Sequence, residues 1–151
     1  MAMYMASCAP AAQTVSTDLE IIEAGTGIIV IYELYIWQTS DVGDAQEEIL
    51  SIQWITAYTT SGSGGQTTVV APNNSFDAAS TAVVELFNTT LATVGTPIVR
   101  YIGGWNVRAP YEKIWQPETR PVLRNGERGV FRLPAPADAL TIGACIVFEQ
   151  L

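Results

Sequence analysis

No histidine occurs among the 151 residues of the chain. That absence removes Ser-His-Asp and Cys-His nucleophile pairs and the usual imidazole ligands of catalytic zinc. Cysteine is nearly missing as well: Cys8 and Cys145 stand at opposite ends of the sequence, which excludes a disulfide scaffold and any CxxC motif. Neither has a base nearby in sequence, so both read as buried or incidental thiols. Charge is scarce, at 15% of residues against about 25% in a typical soluble domain. No long apolar run is present either. The most apolar stretch, Gly27 to Trp37, contains Glu33 and is too short to span a bilayer as a helix. The first ten residues lack a basic region and a sustained apolar core, so no signal peptide is expected. Synthesis in a cytoplasm and a soluble product are expected, and the sequons at Asn73 and Asn88 read as chance matches.

What the chain does hold is apolar bulk. With 48% apolar residues it is no solvated, disordered polymer. Its length suits one domain that buries roughly two-thirds of its unfolded surface. Low charge then has two readings. Part of the exterior is covered by another subunit, or exposed strand faces favour Thr over Lys and Glu.

The few charges are segregated. Residues 1–99 hold ten acids and no base; residues 100–132 hold seven bases and three acids. The bases are Arg100, Arg108, Lys113, Arg120, Arg124, Arg128 and Arg132. A net charge of −8 repels nucleic acid, and the basic part is small, so no nucleic-acid partner is expected. The asymmetry suits a head-to-tail contact between copies. It equally suits basic strands that pair beside acidic ones within one sheet.

Periodicity predicts an all-β protein. Gly27 to Gln38 is rich in Ile, Val, Tyr and Trp with both alternate sets largely apolar, as in a central strand covered on two sides or one that meets a partner. Glu48 to Tyr58 alternates as a half-buried strand. Thr81 to Asn88, Thr96 to Ile102, Gly129 to Leu133 and Ala139 to Glu149 are further strands. Asp77 to Phe87 is alternatively a short helix capped by Asp77. Turn signals at Ser61–Gly65, Pro72–Ser75, Gly103-Gly104 and Pro134–Pro136 separate these runs, and Asn125-Gly126 predicts a hairpin. Short strands joined by Gly/Pro turns predict a single-domain antiparallel β-sandwich over residues 18–151. A jelly roll is the leading topology and an immunoglobulin-like one the alternative. Residues 1–17 read as an extended arm, apolar enough to lie on a neighbour.

Groups that carry chemistry are thinly spread. The acidic stretch Asp41-Val-Gly-Asp44-Ala-Gln-Glu47-Glu48 has oxygen ligands for Ca²⁺ but not the alternating spacing of an EF-hand. It reads as a solvated turn whose carboxylates meet a neighbour's arginine. No carboxylate pair stands out for glycoside hydrolysis, and no catalytic residue, metal or cofactor is expected. The most unusual segment runs from Gly103 to Pro121. It sets Trp105, Tyr111 and Trp115 among Arg108, Lys113 and Arg120, with prolines that prevent a regular helix. That composition fits an interface anchor, a stacking platform for a sugar, or aromatic caps on the end of the core.

The strings Gln38-Thr-Ser-Asp-Val-Gly-Asp-Ala45 with Glu47-Glu48, Trp105-Asn-Val-Arg-Ala-Pro-Tyr111, Pro117-Glu-Thr-Arg-Pro121 and Arg132-Leu-Pro-Ala-Pro-Ala-Asp-Ala-Leu-Thr141 carry a resemblance. Over roughly residues 25–150 the chain resembles an uncharacterised family of virion structural proteins of tailed bacteriophages and their prophages. The resemblance implies a small, non-enzymatic β protein of the particle, most simply a decoration (cement) protein on the capsid surface. Its implied partners are the major capsid protein and further copies of itself, often as a homotrimer, with no membrane. A carbohydrate- or receptor-binding β module, or another tail or connector component, is the alternative. The residues expected at the interface are Trp105, Arg108, Tyr111, Trp115, Arg120, Asp41, Asp44 and Glu47.

Overall fold

The computed structural model describes residues 2–40 and 48–151. Among the described residues thirteen strands form, in chain order: β1 (Ala2–Ser7), β2 (Ala11–Gln13), β3 (Thr17–Glu23), β4 (Ile28–Gln38), β5 (Ile49–Thr60), β6 (Gln66–Thr67), β7 (Val70–Pro72), β8 (Ala82–Asn88), β9 (Thr93–Asn106), β10 (Tyr111–Ile114), β11 (Val122–Arg124), β12 (Arg128–Leu133) and β13 (Leu140–Gln150). One sheet has the order β10-β4-β13-β1-β7, with β11 also on β4 and β2 also on β13; the other has the order β6-β8-β3-β12-β5-β9. Every pairing between strands is antiparallel. The protein is an all-β sandwich.

The topology follows from four nested pairs, β1 with β13, β3 with β12, β4 with β10 and β5 with β9. They are the rungs of one long hairpin. Rolling that hairpin up adds β13 to β4 and β12 to β5, and places successive pairs in alternate sheets. This is a jelly-roll order, not the immunoglobulin arrangement. The segment β6–β8 is an insertion between β5 and β9, the two strands of the innermost rung, and it extends both sheets along one lateral edge.

Residues 2–13 correct the expected arm. Ala2–Ser7 lies inside the first sheet between β13 and β7, with Tyr4 and Ala6 buried and Met5 and Ser7 exposed. The Tyr4 ring stacks on Phe148 at 5.6 Å, and its hydroxyl donates to the Ala78 carbonyl at 2.8 Å. The boundary drawn at residue 18 therefore vanishes into the fold.

The two apolar sets of β4 also have a local cause. Ile29 and Ile31 are buried, then Leu34 and Ile36, so the inward phase slips by one residue at Tyr32 and Glu33. The register against β13 shifts there, because Val147 pairs Glu33 while Phe148 pairs Ile31. A β-bulge leaves two successive residues facing outward. Both sets are thus inward in turn, and neither reading of a two-faced strand is needed.

Two other expectations change. Asp77–Phe87 forms no helix; the described residues contain one short 3₁₀ turn, Pro117–Thr119, and no α-helix. Asn125-Gly126 does turn the chain, with the Glu127 amide on the Arg124 carbonyl at 2.8 Å and Gly126 at φ 76°. Yet β11 joins β4 in one sheet and β12 joins β3 and β5 in the other. The turn is a corner between sheets, not a hairpin.

Candidate functional site

The basic region is not uniformly free for contact. Arg128 and Arg132 project from β12 over the outer face of the second sheet, where β3 presents Asp18 and Glu20. Arg128 meets Glu20 at 2.5 Å, and Arg132 grips Asp18 through Nε–Oδ1 at 2.7 Å and Nη2–Oδ2 at 2.9 Å. Arg132 also donates to the Tyr58 hydroxyl at 2.8 Å and the Ala92 carbonyl at 3.1 Å. The Asp18 hydrogen bond holds the Arg132 guanidinium above its usual pKa, against the opposing effect of burial. Chain near Tyr58–Gly62 and Ala92 closes over these acids, so Asp18 and Glu20 are buried. Pairing of basic with acidic strands inside one sheet accounts for these two arginines.

Two of the other bases, Arg100 and Arg120, border a groove that Arg128 also reaches. Beyond Trp54 the pairing of β5 with β9 shifts at Trp54/Ile55 and again at Thr56/Tyr58. Ala57, Val94 and Gly95 take φ of 69°, 61° and 88° there. A β-branched residue at positive φ is strained, and bulges bend the strands that carry them. On the other side, the segment Thr119–Leu123 carries β11 along β4. Between them lies a groove of about 580 Å³, lined by Trp54, Tyr58, Tyr101 and Trp115 and by Arg100, Arg120, Arg128 and Glu127. Arg120 lies over the Tyr32 ring, with Cζ 3.8 Å from its centroid. Its buried Nε has no hydrogen-bond acceptor among the described residues. Arg100 is exposed and, among the described residues, donates to Thr56 Oγ1 at 3.3 Å. Lys113 stands over the rings of Tyr101 and Trp115 at 4.8 and 5.7 Å.

The residues expected at an interface separate here. Trp105 and Trp115 are 1% and 5% exposed and belong to the core. Trp105 donates from Nε1 to the Ala109 carbonyl at 2.6 Å, and Trp115 packs on Phe131 at 5.7 Å. Both tryptophans cap the sandwich, which corrects their reading as exposed anchors, and of the two only Trp115 also shows an edge to the groove. Tyr111 is half-buried, and its hydroxyl meets that of Tyr101 at 3.0 Å. Burial first, then that hydrogen bond, drives its pKa far up. Arg108 is exposed on the turn after β9, away from the residues that line the groove. Arg120 is in the groove. Asp41, Asp44 and Glu47 lie outside the described residues.

Tyr58, Arg100 and Arg128 complete the groove and were not singled out in the sequence. Their segments are far apart in the chain, and only the rolled topology brings them together. Among the described residues no three His, Cys, Asp or Glu side chains cluster as a metal site.

Comparison with protein-family models, with curated proteins and with solved structures gives no match for this chain.

Proposed function

We propose that the chain is a non-enzymatic structural protein of a phage particle, seated on the outer face of the capsid, where it bridges neighbouring capsomers. The observation that carries this reading is β9. It is the edge strand of the second sheet, and every residue from Thr93 to Arg100 is exposed. Val94, Ile98, Val99 and Ile102 are all large apolar side chains left to water. Pro97, Arg100 and the register shifts against β5 guard the backbone edge of β9 against strand pairing, so it is the run of exposed apolar side chains that invites a cover. Between Thr93 and Asn106 the only charge is Arg100. These apolar side chains favour a covered face, and a repeating protein shell offers a fixed cover. Repetition multiplies weak contacts through effective concentration.

The jelly roll is compatible with this role, since viral capsid proteins use it, though so do lectins and other binding modules. The sequence resemblance to phage virion proteins supplies the particle. Mass spectrometry of purified particles from the encoding phage or prophage tests the reading, with gold-labelled antibody in the electron microscope. Label over the head at many copies supports it. Absence from the particle, or label confined to the tail, overturns it.

A further inference from the structure

The insertion β6–β8 carries a side chain left outside the core of the described residues. Between β7 and β8 the chain makes a turn closed by the Asp77 amide on the Asn74 carbonyl at 2.9 Å and the Phe76 amide on Asn74 Oδ1 at 3.1 Å. The turn presents the Phe76 side chain outward at 95% exposure. Its base is fastened to the body by the Tyr4 hydroxyl on Ala78. Val69, on the same lateral edge, is 84% exposed. Residues 61–92, which build this edge, contain Asp77 and Glu85 and no base.

The basic groove lies on the opposite lateral edge. β7 ends one sheet and β6–β8 the other on the Phe76 side, whereas β9 and β10–β11 end them on the groove side. One side therefore carries an aromatic knob beside an acid. The other carries an aromatic-walled groove with three arginines and one glutamate.

We propose that Phe76 of one copy of this chain inserts into the Tyr58/Tyr101/Trp115 groove of a second copy, with Asp77 drawn to Arg100 and Arg120. The groove volume is in the usual range for pockets that enclose a small ligand. An aromatic side chain in such a pocket is the common energetic centre of an interface. Because knob and groove are different patches on opposite edges, the contact is heterologous, and it closes into a ring or continues as a filament. The inference deepens the structural-protein reading by naming the joint between copies, and it stands or falls by a separate experiment.

A photo-cross-linking amino acid in place of Phe76, in the full-length protein, tests it directly. The expected product is a cross-linked dimer whose peptides join residue 76 to segment 54–59, 100–101 or 115–128 of the second chain. Light scattering over a concentration series provides the second readout. Phe76→Ala weakens self-association by about 30-fold with an unchanged circular dichroism spectrum. Asp77→Arg and Arg100→Glu each weaken it, and the double variant recovers it. A wild-type protein that stays monomeric at every concentration, or cross-links that fall elsewhere, overturns the proposal. So does a monomer whose groove takes up a glycan on an array. A particle that contains the protein without the residue-76 cross-link sinks this inference and leaves the structural role standing. The cross-link in purified protein absent from any particle does the reverse.

Discussion

Arg132 and Asp18 stand opposite one another in the register of β12 and β3 and close a two-pronged ion pair over the outer face of the second sheet. The Asp18 carboxylate is fully buried, while the Arg132 side chain keeps 23% of its exposure. The pair also accepts the Ala92 amide at 2.8 Å, and so pins the chain that covers the sheet. Removing one partner strands a buried charge, which costs about 3 kcal/mol or more. Arg132→Met is expected to lower unfolding stability by about that amount in denaturant titrations. Asp18→Val with Arg132→Met restores part of the loss, because the two charges leave together while the buried Ala92 amide loses its acceptor. A single variant within about 0.5 kcal/mol of wild type, the range of ordinary surface changes, contradicts the pair's role.

Legibility in the sequence followed the range of the forces involved. Alternation marked β5 and β13, and apolar density marked β4, because inward side chains on those strands report the core directly. Tyr4 and Ala6 alternated as clearly within Met3–Ser7, but the segment was short, and nothing local marked its pairing with Cys145–Gln150 of β13. The slip at Tyr32 and Glu33 hid the phase of β4, since a bulge erases period-two reading on either side. The sequence left Arg128 and Arg132 open to a neighbour or to the chain's own acids, because Glu20 and Asp18 lie more than a hundred residues away. Trp105 and Trp115 had the composition of anchors, and only packing on Phe131 and the capped Ala109 carbonyl distinguishes a cap from an anchor. The groove depends on segments 54–59, 100–101 and 115–128 meeting, and no local pattern encodes that.

Gly129 on β12 has no room for a side chain. A methyl group there collides with the buried Trp54 indole, which also packs on Phe131 at 4.4 Å. Overpacking in a rigid core costs about 1–3 kcal/mol. Gly129→Ala is expected to lower the denaturation midpoint accordingly and to change Trp54 fluorescence. The companion substitution Trp54→Phe in the Gly129→Ala background should recover part of the loss. A fully stable Gly129→Ala protein would mean that Trp54 does not occupy this position.

On the outer face of the first sheet the Tyr35 hydroxyl donates to Glu33 Oε2 at 2.7 Å. This hydrogen bond, then desolvation and the nearby negative charges, pushes the Tyr35 pKa up to about 12. Tyr32, bonded to Glu149, moves the same way. A raised folded-state pKa means that neutral tyrosine is the favoured partner. The stabilisation is complete below the unfolded value near 10 and is lost as pH climbs through about 12. Phenolate absorbance should therefore rise later in the folded protein than in the denatured chain. Tyr35→Phe should remove one late-titrating group and flatten the fall in stability over that window. Titration of all tyrosines together near 10 would contradict the Glu33 contact.

Trp115 and Arg100 both border the groove, and they should respond oppositely to truncation. Trp115 is buried against Phe131 and stands edge-on to Tyr101, with ring centroids 6.3 Å apart. Trp115→Ala opens a cavity between the sheets and is expected to cost about 3–5 kcal/mol, with loss of cooperative unfolding in a marginal background. Arg100 is exposed and holds one long hydrogen bond to Thr56, so Arg100→Ala should fall within about 0.5 kcal/mol of wild type. Any loss of association in Trp115→Ala would then be a folding effect, whereas a loss in Arg100→Ala would report on the contact itself. Thermal unfolding of both variants, measured beside their solution mass, separates the two. If Trp115→Ala unfolded like wild type, the tryptophan would belong to the surface and the core-cap assignment would fail.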